Sequence, residues 1–177
     1  SPADGKVIYV KGYEEGMIPY SEKDGDKFFL GDFVKCGILS KAGHIIGISM
    51  NFLNVHVNRA PIGGHVSVIR HIKGAFVSLK KQDAAIRNER ALTVIERSDI
   101  RIGVVQIASR IVRNIVIYLR EGQEIQPGER LGMIRFGSQV DLILPNSPSI
   151  HIEVKPGDDV KAGVSIVARI SGDSQSQ

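Results

Sequence analysis

The sequence predicts a mainly β fold, a single-domain sandwich of the barrel-sandwich-hybrid kind with little helix. Short runs rich in Val and Ile recur at a spacing of roughly ten residues, and Gly and Pro punctuate them, the pattern of an all-β sandwich or barrel. With 177 residues, 42% of them hydrophobic and 24% charged, the chain can bury one substantial core. Trp is absent and aromatic residues make up only 6%, so that core must be built from Ile, Val and Leu.

The expected strands follow one another between turn residues. Lys6 to Val10 leaves the Asp4-Gly5 turn, Lys27 to Leu30 stands between Gly25 and Gly31, and His44 to Met50 starts after Gly43. Leu53 to Val57 comes next, then His65 to His71 after Gly63-Gly64, Ala91 to Glu96, Ile102 to Ile107 and Asn114 to Leu119. Leu131 to Arg135 follows Pro127-Gly128, Val140 to Leu144 ends at Pro145, and Ile150 to Val154 lies between Pro148 and Pro156. The best helix candidate is Lys80 to Arg90, where Ala84, Ala85 and Ile86 are flanked by charge; the same residues also read as an ordered loop. Residues 1–170 form the expected domain, and the polar stretch Ser171 to Gln177 reads as a disordered tail.

Two segments repeat. Glu121 to Gly128 and Pro156 to Gly163 share a Gly-x5-Gly spacing around a central Ile125 or Val160, with a strand run after each. Such turns resemble those of biotinyl and lipoyl domains, but no carrier lysine stands at the expected hairpin tip.

The net charge of +4 and pI near 9.3 suit an anionic surface and do not by themselves choose between a bilayer and nucleic acid. The most apolar stretch, Val104 to Leu119, is interrupted by Gln106, Arg110, Arg113 and Asn114, so it falls short of the roughly 18 apolar residues of a spanning helix. Cys36 is the only cysteine, which excludes an internal disulfide and a Cys-rich metal site.

Chemistry concentrates at Arg135-Phe136-Gly137-Ser138-Gln139-Val140-Asp141. Gly137-Ser138 reads as a tight corner between two strands. A Gly-Ser bond in a strained turn can also cut itself: the hydroxyl takes the acyl group, elimination follows, and a pyruvoyl carbonyl remains on residue 138. An α-keto amide can condense with an amine and accept electrons from a breaking bond, which a serine side chain cannot. His56 is the leading general acid/base, because imidazole titrates near neutrality. Alternation along Leu53 to Val57 puts Asn54, His56 and Asn58 on one face and Val55 and Val57 on the other.

Five segments in order carry a resemblance: Ser1-Pro2-Ala3-Asp4-Gly5, Asn54 to Pro61, Asn88-Glu89-Arg90, Val105 to Ala108, and Gly128 to Ser138. Together they resemble the phosphatidylserine decarboxylase family, its compact branch with the archaetidylserine decarboxylases, over Pro2 to about Ala168. The resemblance implies self-cleavage between Gly137 and Ser138 into fragments 1–137 and 138–177 that stay associated, with a pyruvoyl group derived from Ser138 as cofactor. It implies decarboxylation of an anionic serine phospholipid at a membrane surface, with a homodimer possible and no nucleic acid partner. It also implies a native membrane anchor ahead of Ser1-Pro2. Asp4 matches the aspartate of a Ser-His-Asp relay, and Asn58, Arg59 and Arg135 become substrate-binding candidates. The longer bacterial branch has a second histidine where Arg59 stands, so His56 serves both steps or His65 substitutes. Asn88-Glu89-Arg90 is a weaker candidate for positioning the chain; His44, His71 and His151 read as structural or exposed.

Two other classes stay in view. One is a biotinyl/lipoyl-like carrier module; the other is a zinc peptidase suggested by His151-Ile152-Glu153, which lacks a paired His-x-His.

Overall fold

The computed structural model describes residues 1–19, 27–37, 39–51, 54–75, 78, 87–109, 115–134 and 138–171. It is mainly β, in a single compact domain whose large antiparallel sheet curls into a half-barrel. The strands are β1 (Gly5–Tyr13), β2 (Met17–Pro19), β3 (Lys27–Phe29), β4 (Gly43–Met50), β5 (Val57–Arg59), β6 (Gly64–Ile72), β7 (Arg90–Arg97) and β8 (Ile100–Ile107). They continue with β9 (Ile115–Ile117), β10 (Glu124–Ile125), β11 (Arg130–Ile134), β12 (Ser138–Pro145), β13 (Ile150–Ile152), β14 (Asp159–Val160) and β15 (Ala168–Ile170). Among the described residues a short helix, α1 (Leu30–Val34), follows β3.

Eight strands form the main sheet, in the order β10-β6-β7-β8-β12-β4-β1-β14, and β5-β11-β9 form a second sheet. Alternation gives the main sheet two apolar faces. Val7, Ile48, Ile95, Val104, Val140 and Leu142 point to one side, where they meet Leu131 and Ile134 of the second sheet. Ile45, Leu92, Val105, Ile107 and Ile143 point to the other, under Phe33 and Val34 of α1. Covered on both faces, β12 is buried from Ser138 to Leu144, the polar Ser138, Gln139 and Asp141 included.

The sheet carries an internal two-fold that maps β10-β6-β7-β8 onto β14-β1-β4-β12. Val66↔Ile95 on β6 and β7 corresponds to Val7↔Ile48 on β1 and β4, each beside a bulge that skips one residue, Ser67 or Ile8. The central β12–β8 ladder runs from Gln139↔Ile107 to Ile143↔Gly103; the two-fold carries its Leu142↔Val104 pair onto itself and exchanges Asp141↔Val105 with Ile143↔Gly103. The sequence repeat sits at the two edges: Ile125 pairs with Gly64 and Val160 with Gly5, and both apolar side chains are buried. The turn bonds match as well. Gly122 N–H donates to Val66 and Val66 N–H to Gln123, as Gly157 donates to Val7 and Val7 to Asp158.

One expectation needs correction, and two others fall mostly outside the described residues. The strand expected at Leu53 to Val57 begins only at Val57; Phe52 and Leu53 lie outside the described residues, and residues 54–56 are not strand. Asn54 is the cause, because its Oδ1 accepts the N–H of Asn51 at 2.7 Å while its own N–H donates to Asn51, closing a turn. Most of the expected helix at Lys80 to Arg90 lies outside the described residues, and Arg90 already opens β7. At the start of the expected tail, Ser171 N–H donates to Ser149 at 2.8 Å; residues 172–177 lie outside the described residues.

Candidate active site

Ser138 opens β12 opposite Met50 of β4 and is 1% exposed. Its hydroxyl donates to Met50 Sδ at 3.4 Å. Asn58 Nδ2 reaches the same sulfur at 3.7 Å, and Gln106 Nε2 donates to Asn58 Oδ1 at 2.9 Å. All four side chains are buried, so a polar row runs through an otherwise aliphatic core. A thioether is a weak acceptor. The Ser138 hydroxyl is therefore dry and only loosely held, a state in which its oxygen can turn toward a carbonyl at little cost.

His56 lies one residue ahead of β5. Its carbonyl accepts the N–H of Ile134, the last described residue before Ser138, at 3.1 Å. Its Nε2 is closed off from solvent. Asp4 joins from the N-terminal segment: one carboxylate oxygen accepts the N–H of Val55 at 3.4 Å and the other that of Ala162 at 2.8 Å. Pro2 accepts the N–H of Arg59 at 2.9 Å. The segments carrying Asp4, His56 with Asn58, and Ser138 thus meet at one place although the chain separates them by many tens of residues.

The remaining candidates fall elsewhere. Arg59 is on the face of β5 opposite the buried Asn58, and its guanidinium donates to the Gly128 carbonyl at 2.7 Å. Gly137 and Arg135 lie outside the described residues. His65 cannot take the place left by Arg59. It stands on β6, inside the edge strand β10 and three strands from β12, near the end that carries Arg97 and Ile100, with Glu124 of β10 3.4 Å away. Arg90 fits the chain-positioning role expected of its segment, because its guanidinium is buried against the carbonyls of Asp32 (3.2 Å) and Asn88 (2.9 Å). His71 pairs with Glu89 at 2.8 Å. His151 is exposed, and Glu153 pairs with Arg169 at 3.2 Å, so the His151-Ile152-Glu153 segment shows a surface ion pair.

Sequence reasoning missed Met50 and Gln106, and it missed a second buried polar group on the other face of β12. Tyr9 donates its hydroxyl to Asp141 Oδ2 at 2.7 Å, and Gln139 Nε2 donates to Tyr9 Oη and Asp141 Oδ1, both at 2.7 Å. Burial pushes the Tyr9 phenol well above its ordinary value, and the Asp141 charge and hydrogen bond add to this. Burial also raises the Asp141 carboxyl to about 6, against the hydrogen bonds and the Lys11 charge that pull it down. The signal was present in the sequence as single polar residues inside aliphatic runs, Gln106 in Val104 to Ile107 and Asp141 in Val140 to Leu144.

The comparisons with known proteins agree with this convergence. The phosphatidylserine decarboxylase family model matches residues 1–168. A provisionally named archaetidylserine decarboxylase proenzyme of Methanocaldococcus jannaschii is 40% identical over 168 residues, 95% of this chain and 79% of the relative. A phosphatidylserine decarboxylase proenzyme of Desulfotalea psychrophila is 39% identical over 171 residues, 96% of this chain and 70% of the relative. Another provisionally named archaetidylserine decarboxylase proenzyme, from Methanothermobacter thermautotrophicus, is 37% identical and covers 97% of this chain and 72% of its own length. A match over almost the whole fold, including every described segment that meets around Ser138, makes this chain a carboxy-lyase that belongs to the phosphatidylserine decarboxylase family.

Proposed function

We propose that the chain cuts itself between Gly137 and Ser138 and then decarboxylates the serine headgroup of a glycerophospholipid, phosphatidylserine or its archaeal ether counterpart, to the ethanolamine lipid and carbon dioxide. The observation that carries this reading is the Ser138 hydroxyl, buried at a strand start, weakly held by Met50, and next to the His56 segment. The proenzyme names of the relatives fit a chain that is processed.

The atoms balance without an external oxidant. Ser138 Oγ attacks the Gly137 carbonyl carbon, the C–N bond opens, and the hydroxyl proton goes to the Ser138 nitrogen. Loss of the Ser138 Cα proton expels Gly137 as a carboxylate, and water then replaces the nitrogen, which leaves as ammonia. A pyruvoyl carbonyl at residue 138 supplies the electron sink for losing carbon dioxide. His56 carries protons at this place, and Asp4 sets its height through the Val55 N–H. Asn58, anchored by Gln106, presents its amide at the same wall. No helix among the described residues is long and apolar enough to cross a membrane. The lipid approaches from the side of Val55, Val164 and Ile166, which are 60%, 74% and 51% exposed. The Asp4 carboxylate, by binding both Val55 and Ala162, holds these two loops together.

Intact mass of the denatured protein tests the cut. Wild type is expected as two fragments, with the 138–177 piece blocked at its N-terminus, and Ser138→Ala as one uncut, inactive chain. Ser138→Cys cuts more slowly. Efficient cleavage of Ser138→Ala at 137/138 would remove the mechanism.

A further inference from the structure

The two-fold of the sheet supplies a control for every residue near Ser138. Its operation carries Tyr9 to Val68, Gly47 to Val94, Gln139 to Arg101 and Asp141 to Gly103. The half of the sheet remote from Ser138 is thus built with no counterpart of the Tyr9–Gln139–Asp141 ring. The ionised carboxyl within the ring also carries a cost to stability. A carboxyl raised to about 6 by burial binds its proton more tightly folded than unfolded, so at neutral pH its charge opposes folding, and the cost is relieved as pH falls through about 6. Gly47 is shaped to the ring as well: a Cβ there would lie 2.4 Å from the Tyr9 Cζ. A feature that the fold does without at the equivalent place, and whose carboxylate charge is held here against burial, has another use.

Its position indicates which. Gln139 is the residue directly after Ser138, and its amide is fixed by two 2.7 Å hydrogen bonds, one to a carboxylate. Once the preceding bond is cut, residue 138 is a chain end, and chain ends fray. We propose that the Tyr9–Gln139–Asp141 ring is a positioning clamp: from the far face of the sheet it holds the chain one residue beyond the cut, so that residue 138 stays in the site as a free end. This rests on the self-cleavage reading above.

The test uses the full chain as wild type, Asp141→Asn, Gln139→Met and Tyr9→Phe. Intact mass follows the cut, turnover of serine lipid is measured in the cut fraction, and amide hydrogen exchange is read strand by strand. Losing one hydrogen bond to a charged group is worth about a factor of ten. Asp141→Asn and Gln139→Met are therefore expected to lower kcat about tenfold or more with KM within about twofold, and to speed exchange at residues 139–141 about tenfold while β6 and β7 stay protected. Tyr9→Phe gives a smaller effect of the same kind. Cut variants with wild-type kcat and exchange, or with exchange raised evenly across the sheet, would overturn the clamp alone. An uncut wild type would overturn the self-cleavage reading and the clamp with it.

Discussion

At the scale of single residues, the division of labour proposed for His56 and Ser138 rests on what surrounds each. Ser138 has a dry hydroxyl on a thioether, and nothing in that contact takes its proton. His56 is the nearby imidazole, the side-chain type most often used for general acid/base proton transfer. Its backbone is tied to Ile134 and, through Val55, to Asp4. His56→Ala is therefore expected to slow lipid decarboxylation in whatever fraction is cut by at least about a hundredfold, the low end for losing a general acid/base. Borohydride in the presence of serine lipid still fixes lipid to fragment 138–177 of that variant. Carbon dioxide release at the wild-type rate would exclude the role. Failure to cut at all would show His56 also filling the place that Arg59 leaves empty, a place His65 is too remote to fill. His56 and Ser138 were legible as residue types able to do this chemistry. The Tyr9–Gln139–Asp141 ring was not, because a hydrogen-bonded ring between β1 and β12 exists only once those strands flank β4.

Among the elements, most strands were readable because β-branched runs bounded by turn residues report local preference, which burial then reinforces. The exception, Leu53 to Val57, shows how side-chain chemistry defeats an apolar run: the Asn54 amide closes a turn on Asn51 and delays β5 to Val57. What no local signal conveys is which strands become neighbours, and the two-fold arises from that long-range pairing. It makes a paired prediction possible. Gly5 and Gly64 are equivalent, with φ of +145° and +147°, and a Cβ on either would lie 2.1 or 2.2 Å from a backbone oxygen, that of Ser49 or Glu96. A side chain at either position costs on the order of 1–3 kcal/mol in strain. Gly5→Ala and Gly64→Ala should both melt earlier than wild type. Only Gly5→Ala should slow the cut at Ser138, because only Gly5 adjoins Asp4. Equal cutting by the two variants in time-course gels would detach Asp4 from maturation.

For the whole molecule, the question is how a chain with so aliphatic an interior meets an insoluble substrate. Of the five large apolar side chains exposed among the described residues, the three most exposed, Val55, Val164 and Ile166, share the side where Asp4 joins the His56 segment to the loop at Ala162. A groove of about 240 Å³ beside them is lined by Pro61, Pro127, Gly128, Val164 and Ile166. Exposed Lys161 precedes this loop, and the net charge of +4 favours an anionic surface. Burying two such side chains in the acyl boundary contributes roughly 1.5–3 kcal/mol each. Val164→Ser with Ile166→Ser should therefore weaken binding of this chain to serine-lipid vesicles at least about tenfold, while turnover of a monomeric short-chain serine lipid stays near wild type. The short-chain control separates a lost surface from a damaged site, since neither residue touches Ser138, Met50 or Asn58 through the hydrogen bonds of the polar row. If vesicle binding is unchanged and the double variant instead sediments as a smaller species, the same apolar side joins two copies of the chain, and the bilayer must be met elsewhere.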